Sequence, residues 1–238
     1  MIKGAIFDLD GTLLDSMNLW TKIDREFLER RGITYTLDYS KAITHMELLE
    51  TANYTIKRYS LNESAEAVIG EWQEAANKEY ANNIKLKDGA YEFLMYLKKN
   101  NYKLAVATSS SKEVFMPCLK RVGIDKLFDA IVTSSDVGIG KSSPKIYLHG
   151  ASLINVEPKD CFVFEDLPIA LASAKSVGFI TIGVLDPFSI DLFDEVKAQS
   201  IATISDFSEK EIKKSLSLII NWIIISTGGM YEGSLYNR

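Results

Sequence analysis

The sequence has few cysteines and no long hydrophobic run. Its 238 residues contain two cysteines, Cys118 and Cys161, which cannot form the disulfide framework of a small secreted protein. The N-terminus lacks the apolar stretch of a signal peptide, because its hydrophobic run ends at Asp8. The most apolar segment, residues 216–225, is interrupted by polar residues and is shorter than the ~18 to 20 apolar residues that span a bilayer. We therefore expect a cytoplasmic protein that does not enter the membrane.

The sequence also lacks a basic cluster. Its 27 Lys and Arg residues are outnumbered by 32 Asp and Glu residues, which gives a net charge of −5 and a pI near 5.2. This balance argues against nucleic acid as a main partner. The length suits one large domain or a domain that carries an insertion. A monomer is the simplest expectation, and a dimer remains open.

Short apolar runs alternate with helical patterns through most of the chain. The runs are rich in β-branched residues, as buried parallel strands are, and they cover residues 2–7, 103–107, 130–133, 161–164 and 180–184. Amphipathic helical patterns between them cover residues 90–97, 114–122 and 146–153. Strands that alternate with helices predict an α/β domain with a largely parallel sheet.

One interval departs from this alternation. Residues 16–85 contain no convincing strand and show several amphipathic helical stretches. A single strand-to-helix connection does not need some 70 residues, so we predict an all-helical domain inserted after the first strand. The core would then comprise residues 1–15 and 86–215. Residues 216–238 form an apolar segment and a tail whose role stays open.

A pair of aspartates follows the first predicted strand. Asp8 and Asp10 flank one leucine, and Gly11 and Thr12 follow them. A strand end followed by a turn is the plain structural interpretation. However, ligands of open α/β sheets bind outside the carboxyl ends of the strands. Two close carboxylates repel each other unless a cation lies between them, and hard oxygen ligands favour Mg²⁺. The pattern therefore indicates a candidate magnesium site.

Residues 7–13, with the sequence FDLDGTL, resemble the first motif of the haloacid dehalogenase superfamily of phosphohydrolases. Segments similar to the later motifs follow in order, and they contain Thr108 with Ser109, Lys141 before a proline-containing helix start, and Glu165 with Asp166. The resemblance covers about residues 1–205. It implies a Rossmann-like parallel sheet core with a helical cap inserted after the first motif.

The resemblance also implies a role for each motif residue. Asp8 would attack phosphorus and form an aspartyl-phosphate, and Asp10 would protonate the leaving alcohol and later deprotonate water. The implied phosphate-binding residues are Thr108, Ser109 and Lys141. The implied Mg²⁺ ligands are Asp8, Asp10 (through its backbone carbonyl), Glu165 and Asp166.

The inserted domain is expected to close over the phosphate site and to contact the remainder of the substrate. We expect its hinges near residues 15–17 and 86–89. Trp20 follows the first motif closely enough to line the cleft, and His45 lies in the insert, so both are candidates for substrate contact. The substrate would be a small phosphorylated metabolite whose identity one sequence does not reveal.

Two other functions remain open beside a phosphatase. A phosphosugar mutase similar to β-phosphoglucomutase would carry a histidine where this chain has Trp20, and a Gly-x-Ser-Arg segment where residues 43–47 contain neither Gly nor Arg. These departures favour a phosphatase. A non-catalytic phosphate-binding protein is the third hypothesis, although every predicted catalytic position carries a competent residue. Dehalogenation is disfavoured, because that reaction does not need Asp10 or the acidic pair at 165 and 166.

Overall fold

A computed structural model of the chain describes residues 3–43, 46 and 48–213. His45 and the segment 216–238, for which the sequence predicts a substrate contact and an apolar tail, lie outside these residues. Within the described part, no helix combines the length and the apolar character needed to cross a membrane.

A parallel sheet forms the centre of the molecule. In chain order the strands are β1 (Gly4–Phe7), β2 (Leu14–Asp15), β3 (Lys85–Leu86), β4 (Lys103–Thr108), β5 (Ala130–Thr133), β6 (Cys161–Glu165), β7 (Ile180–Val184) and β8 (Ala202–Ile204). Six of them form one sheet in the order β5-β4-β1-β6-β7-β8, and every pairing in it is parallel. The predicted α/β fold is confirmed, and β8 is a strand that the sequence did not indicate.

Helices follow the strands and cover the sheet. They are α5 (Ala90–Lys99), α6 (Lys112–Arg121), α7 (Ser134–Val137), α8 (Lys145–Leu153), α9 (Pro168–Ser176) and α10 (Phe193–Ala198). Successive residues of a strand point to opposite faces, and this separates two hydrophobic clusters. Phe7 and Phe164 belong to one cluster and their rings stack at 4.6 Å, whereas Ile6 and Val163 belong to the other.

Helices also fill the interval between β2 and β3. They are α1 (Leu19–Glu29), α2 (Leu37–Ile43), α3 (Leu48–Tyr59) and α4 (Ala65–Asn82). The buried rings of Phe27 and Trp72 meet edge to face at 5.4 Å and join α1 to α4. Ser64 begins α4 as its N-cap, because its hydroxyl accepts a hydrogen bond from the Ala67 N–H. We call these four helices the cap. The exact domain boundaries stay a prediction.

The two chain segments that lead into and out of the cap lie side by side. β2 and β3 pair antiparallel, with Leu14 opposite Leu86, and the Lys87 N–H donates to the Leu13 carbonyl at 2.9 Å. The buried Lys87 ammonium also pairs with the buried Asp186 carboxylate at 2.5 Å. This pairing fixes the base of the cap to the loop after β7.

Gly89 and Gly123 provide a matched test of packing at the exit from the cap. Both have positive φ, +75° and +79°, so alanine is strained by about 1–2 kcal/mol at either position. A methyl group at Gly89 would also overlap the backbone of Phe207, whereas Gly123 has open space. We expect Gly89→Ala to lower the free energy of unfolding by at least about 1 kcal/mol more than Gly123→Ala does. Urea denaturation measures both, and equal losses would contradict the overlap.

Asp24 predicts a pH dependence of stability. This residue of α1 is 7% exposed, and burial raises its pKa to about 7. An unfolded aspartate has a pKa near 3.9, so the folded state binds more protons between these values and stability falls as the pH rises through this range. We expect Asp24→Asn to stabilise the protein at pH 8 by a few kcal/mol and to have little effect at pH 4. Thermal unfolding at both pH values, with the exposed Glu29→Gln as control, measures the difference.

Candidate active site

The ends of three adjacent strands bring the predicted motifs together. Asp8 follows β1, and its N–H donates to the Phe164 carbonyl of β6 at 3.1 Å. Asp166 follows β6, and Thr108 is the last residue of β4. The chain continues to one side of β1 with β4 and β5 and to the other with β6, β7 and β8. Such a switch point leaves a crevice at the carboxyl ends of the strands.

The turn after β1 depends on a glycine. Gly11 has a φ of +78°, and a side chain there would overlap the Asp166 carboxylate. Glycine adopts this conformation without steric cost and permits the close approach. The next residue, Thr12, donates its hydroxyl to Asp166 Oδ1 at 3.4 Å. The turn therefore fixes the position of Asp166 relative to β1.

Three buried carboxylates form one cluster at the strand ends. Asp8, Glu165 and Asp166 each offer an oxygen, and these oxygens all lie within 4.8 Å of one another. Lys141, from the loop between α7 and α8, donates to both Asp8 and Glu165. Burial raises the pKa of Asp8 to about 8 and also raises the pKa of Asp166, and the neighbouring carboxylates add to both shifts. One ammonium does not balance three carboxylates, so the cluster favours an additional cation.

Lys141 stays charged in this buried place. Burial alone would lower the pKa of its ammonium, but the adjacent Asp8 and Glu165 carboxylates outweigh burial and raise the pKa above its usual value. Lys141 therefore provides a fixed positive charge beside the predicted nucleophile.

The hydrogen bonds of the cluster show which oxygens are free for a cation. Glu165 accepts from the Lys141 ammonium, from the Tyr147 hydroxyl at 2.9 Å, and from the N–H groups of Asp166 and Leu167 at 3.0 and 3.2 Å. In contrast, Asp166 Oδ2 is buried and has no hydrogen-bond partner among the residues that the structure describes. An unpaired buried oxygen is costly, and a hard cation such as Mg²⁺ suits it. The residues therefore fit Mg²⁺ at Asp8 and Asp166, and ligation by Glu165 stays a prediction.

The Asp10 carboxylate lies among hydroxyl groups and not in the acidic cluster. It accepts from Ser16 at 2.7 Å, from Ser110 at 2.6 Å and from the buried Tyr80 hydroxyl of α4. The sequence indicated Asp10 but not its contact with Tyr80, because no local pattern reveals a hydrogen bond that spans 70 positions. The predicted metal contact of Asp10 through its carbonyl stays a prediction.

The hydroxyl groups of Thr108 and Ser109 have different surroundings. The buried Thr108 hydroxyl accepts from the Ser110 N–H at 3.1 Å, whereas the Ser109 hydroxyl lies 3.2 Å from that of Ser134 at the surface. Of the two, Thr108 is therefore the one that is buried at the end of β4, the strand next to β1. Phosphate binding by Thr108 and Ser109 stays a prediction.

A cavity of about 590 Å³ opens between the cap and the core beside Asp10. Trp20 lines it and is 47% exposed, and its contact with a substrate stays a prediction. Gln73 and Asn77 of α4 contribute amide groups. Among the lining residues that the structure describes, Asp10 and Glu113 carry charge, and neither Lys nor Arg is present. The cavity thus combines an aromatic ring, neutral polar groups and negative charge.

This chain is similar in sequence and in structure to several known proteins. A phosphorylated carbohydrates phosphatase of Thermotoga maritima is 30% identical over 177 residues, covering 74% of this chain and 82% of that protein. A probable pseudouridine-5'-phosphatase of Drosophila melanogaster is 31% identical over 224 residues, covering 88% of this chain and 93% of the relative. The crystal structure of a putative β-phosphoglucomutase from Thermotoga maritima matches with a TM-score of 0.78 at 27% identity, covering 92% of this chain and 99% of the other.

The family description "haloacid dehalogenase-like hydrolase" matches residues 5–184. This range begins within β1 and extends to the end of β7, so it contains the motif residues from Asp8 to Asp166 and the whole cap. The resemblance seen in the sequence is confirmed. The chain belongs to the haloacid dehalogenase-like hydrolases.

Proposed function

We propose that this protein is a Mg²⁺-dependent phosphatase that hydrolyses a small phosphorylated metabolite through an aspartyl-phosphate on Asp8. One observation carries the proposal: the buried Asp8 carboxylate contacts Lys141 and lies beside Asp166, whose Oδ2 is buried without a partner in the described part of the chain. The coarser prediction, a phosphoric monoester hydrolase, is confirmed by relatives named as phosphatases.

The first half of the reaction transfers the phosphoryl group to the protein. An Asp8 carboxylate oxygen attacks phosphorus, the bond from phosphorus to the leaving oxygen breaks, and Asp10 gives its proton to that oxygen. Lys141 and Thr108 would hold the non-bridging oxygens and offset their charge. Mg²⁺ held by Asp8 and Asp166 would supply the positive charge that lets an anionic nucleophile approach an anionic phosphate.

The second half releases phosphate. Asp10, now ionised, takes a proton from a water molecule, and the water oxygen attacks phosphorus while the bond to Asp8 breaks. Inorganic phosphate leaves, and both aspartates return to their starting states. The Ser16 and Ser110 hydroxyls donate to the Asp10 carboxylate and hold it beside the cavity in which the leaving group would lie.

The cavity lining supports a phosphatase over a mutase. A sugar phosphomutase that works through a bisphosphate has to hold a second phosphate while the first is transferred. Within the described lining, the charged side chains are Asp10 and Glu113, which repel a second phosphate. The amides of Gln73 and Asn77 and the ring of Trp20 instead suit a neutral, hydroxyl-rich leaving group. Interconversion of glucose 1-phosphate and glucose 6-phosphate by the purified protein would support the mutase.

The direct test measures phosphate release from p-nitrophenyl phosphate. We expect activity with Mg²⁺ that disappears on chelation with EDTA, and a loss of at least about a thousandfold in Asp8→Asn, because the nucleophile is removed. Asp194→Asn, a change at a side chain that is 97% exposed, is the matched control and should keep full activity. Circular dichroism checks that both variants fold. A folded Asp8→Asn variant with unchanged activity would contradict the role of Asp8.

The negative charge of Glu113 in the cavity lining predicts an effect on substrate choice. We expect Glu113→Lys to raise kcat/KM for glucose 1,6-bisphosphate, relative to glucose 6-phosphate, by about fivefold, because surface charge interactions contribute up to about 1 kcal/mol. Glu113→Gln removes the repulsion without adding attraction and should give a smaller increase. A ratio that is the same in all three proteins would show that Glu113 does not select against a second phosphate.

A further inference from the structure

The indole ring of Trp20 belongs to an apolar wall of the cavity. Trp20 is the second residue of α1 and is 47% exposed, whereas Ile23 and Phe27 of the same helix are buried. The other apolar side chains of the lining are those of Met17, Leu48, Ala76 and Val114. An exposed apolar surface bordered by polar groups is typical of a ligand-binding groove. The flat face of the indole suits stacking against another flat ring.

Two amide side chains line the same cavity from α4. Gln73 and Asn77 are about one helical turn apart, so they lie on one face of the helix. Elsewhere in the cap, the amides of Asn53 and Asn82 donate to carbonyls of their own helices at 2.9 and 2.8 Å. Gln73 and Asn77 make no such hydrogen bond with the residues that the structure describes. Their donors and acceptors are therefore available to a ligand.

A nucleobase is a chemical group that suits both features. Its faces are flat, and proteins stack such bases on aromatic side chains. Its edge places a hydrogen-bond donor beside an acceptor, and the amide of Gln or Asn can pair with both at once. A sugar alone would leave the indole face and much of the apolar wall uncovered, whereas a nucleoside adds a flat base to the hydroxyl groups of its sugar.

The charge and the size of the cavity agree with this ligand. The cavity lies beside Asp10, where the leaving group would be, and its charged side chains within the described lining are Asp10 and Glu113. Uridine and adenosine carry no charge, so these carboxylates do not repel them. The volume of about 590 Å³ lies within the range of ~300–1,000 Å³ that accommodates drug-sized ligands. A nucleoside therefore has room beside the reacting phosphate.

We propose that Trp20, Gln73 and Asn77 form a nucleobase-binding site and that the phosphorylated metabolite is a nucleoside monophosphate. The inference rests on the proposed phosphatase function and specifies its leaving group. Trp20 stacks on the face of the base, and the two amides bind its edge. The overall reaction consumes one water molecule and releases the nucleoside and inorganic phosphate. The three residues contact the base and not phosphorus, so they determine which substrate is used.

The test compares substrates that differ in the base. Uridine 5'-monophosphate and ribose 5-phosphate share the phosphate, the ribose and the leaving oxygen, but only the first carries a base. We expect kcat/KM in the unaltered protein to be at least about tenfold higher for uridine 5'-monophosphate, because stacking and edge contacts stabilise the bound nucleotide. Adenosine 5'-monophosphate is the second nucleotide, and a tenfold preference for either nucleotide over ribose 5-phosphate supports the inference.

Variants of the three residues assign the preference to the proposed site. Trp20→Ala should lower the ratio of kcat/KM for the preferred nucleotide to that for ribose 5-phosphate about tenfold, and Trp20→Phe, which keeps a flat ring, should retain most of the ratio. Gln73→Leu and Asn77→Leu should each lower it about fivefold, because they remove hydrogen bonds to the edge of the base. If Trp20→Ala fails to fold, as judged by circular dichroism, the two α4 variants decide.

Two matched controls change the same residue types outside the cavity. Phe188 is an aromatic residue that is 58% exposed, and Asn53 is an exposed amide of α3. Neither belongs to the cavity lining. Phe188→Ala and Asn53→Leu should both leave the ratio unchanged.

Equal kcat/KM values for ribose 5-phosphate and both nucleotides in the unaltered protein would overturn the inference. An unchanged ratio in a folded Trp20→Ala variant would also overturn it, because the base would then bind elsewhere. Failure of the proposed function gives a different result, since the unaltered protein would release phosphate from none of these substrates, nor from p-nitrophenyl phosphate, in the presence of Mg²⁺.

Discussion

The Lys141 ammonium contacts two buried carboxylates at once, Asp8 and Glu165, and the rest of the site is arranged around this contact. Without Lys141, the three buried carboxyl groups would face one another with no positive side chain between them. Removing one partner of a buried ion pair typically costs about 3–5 kcal/mol. Lys141 lies in the loop after α7, and Thr133 and Asp136 form a reciprocal capping box at the start of that helix. The same charges that oppose folding would attract the cation that the proposed reaction needs.

The three acids of the cluster differ in their hydrogen bonds. Glu165 uses its oxygens to bind Lys141, Tyr147 and the backbone of the following turn, so it fixes the shape of the strand end. Asp166 keeps one oxygen without a partner among the described residues, and Asp8 lies opposite on the neighbouring strand. Glu165 is therefore tied into the structure by hydrogen bonds, whereas Asp8 and Asp166 are the acids that the proposed reaction uses.

Much of this arrangement follows from the sequence, because its parts are local. The strands β5 and β7 begin and end where the apolar runs do, and the order of the motifs indicated which strand ends would meet. The contact of Tyr80 with Asp10 could not be found in this way, because it depends on how α4 packs across the core. Helix α2 has only a weak sequence pattern for a similar reason, since Tyr39 is its one buried residue. Local motifs predicted the acidic cluster at the strand ends, and tertiary packing determined which cap residue contacts Asp10.

The strands β2 and β3, which lead into and out of the cap, lie side by side, and this pairing affects what the junction can carry. Leu14 and Leu86 are direct neighbours in β2 and β3, so the chain leaves the core and returns to it at almost the same point. An insertion whose ends already touch imposes little loop-closure entropy on the domain that carries it. The sheet can thus host inserts of very different size and shape at this one junction, and a new substrate pocket can be fitted without rebuilding the strands that hold Asp8.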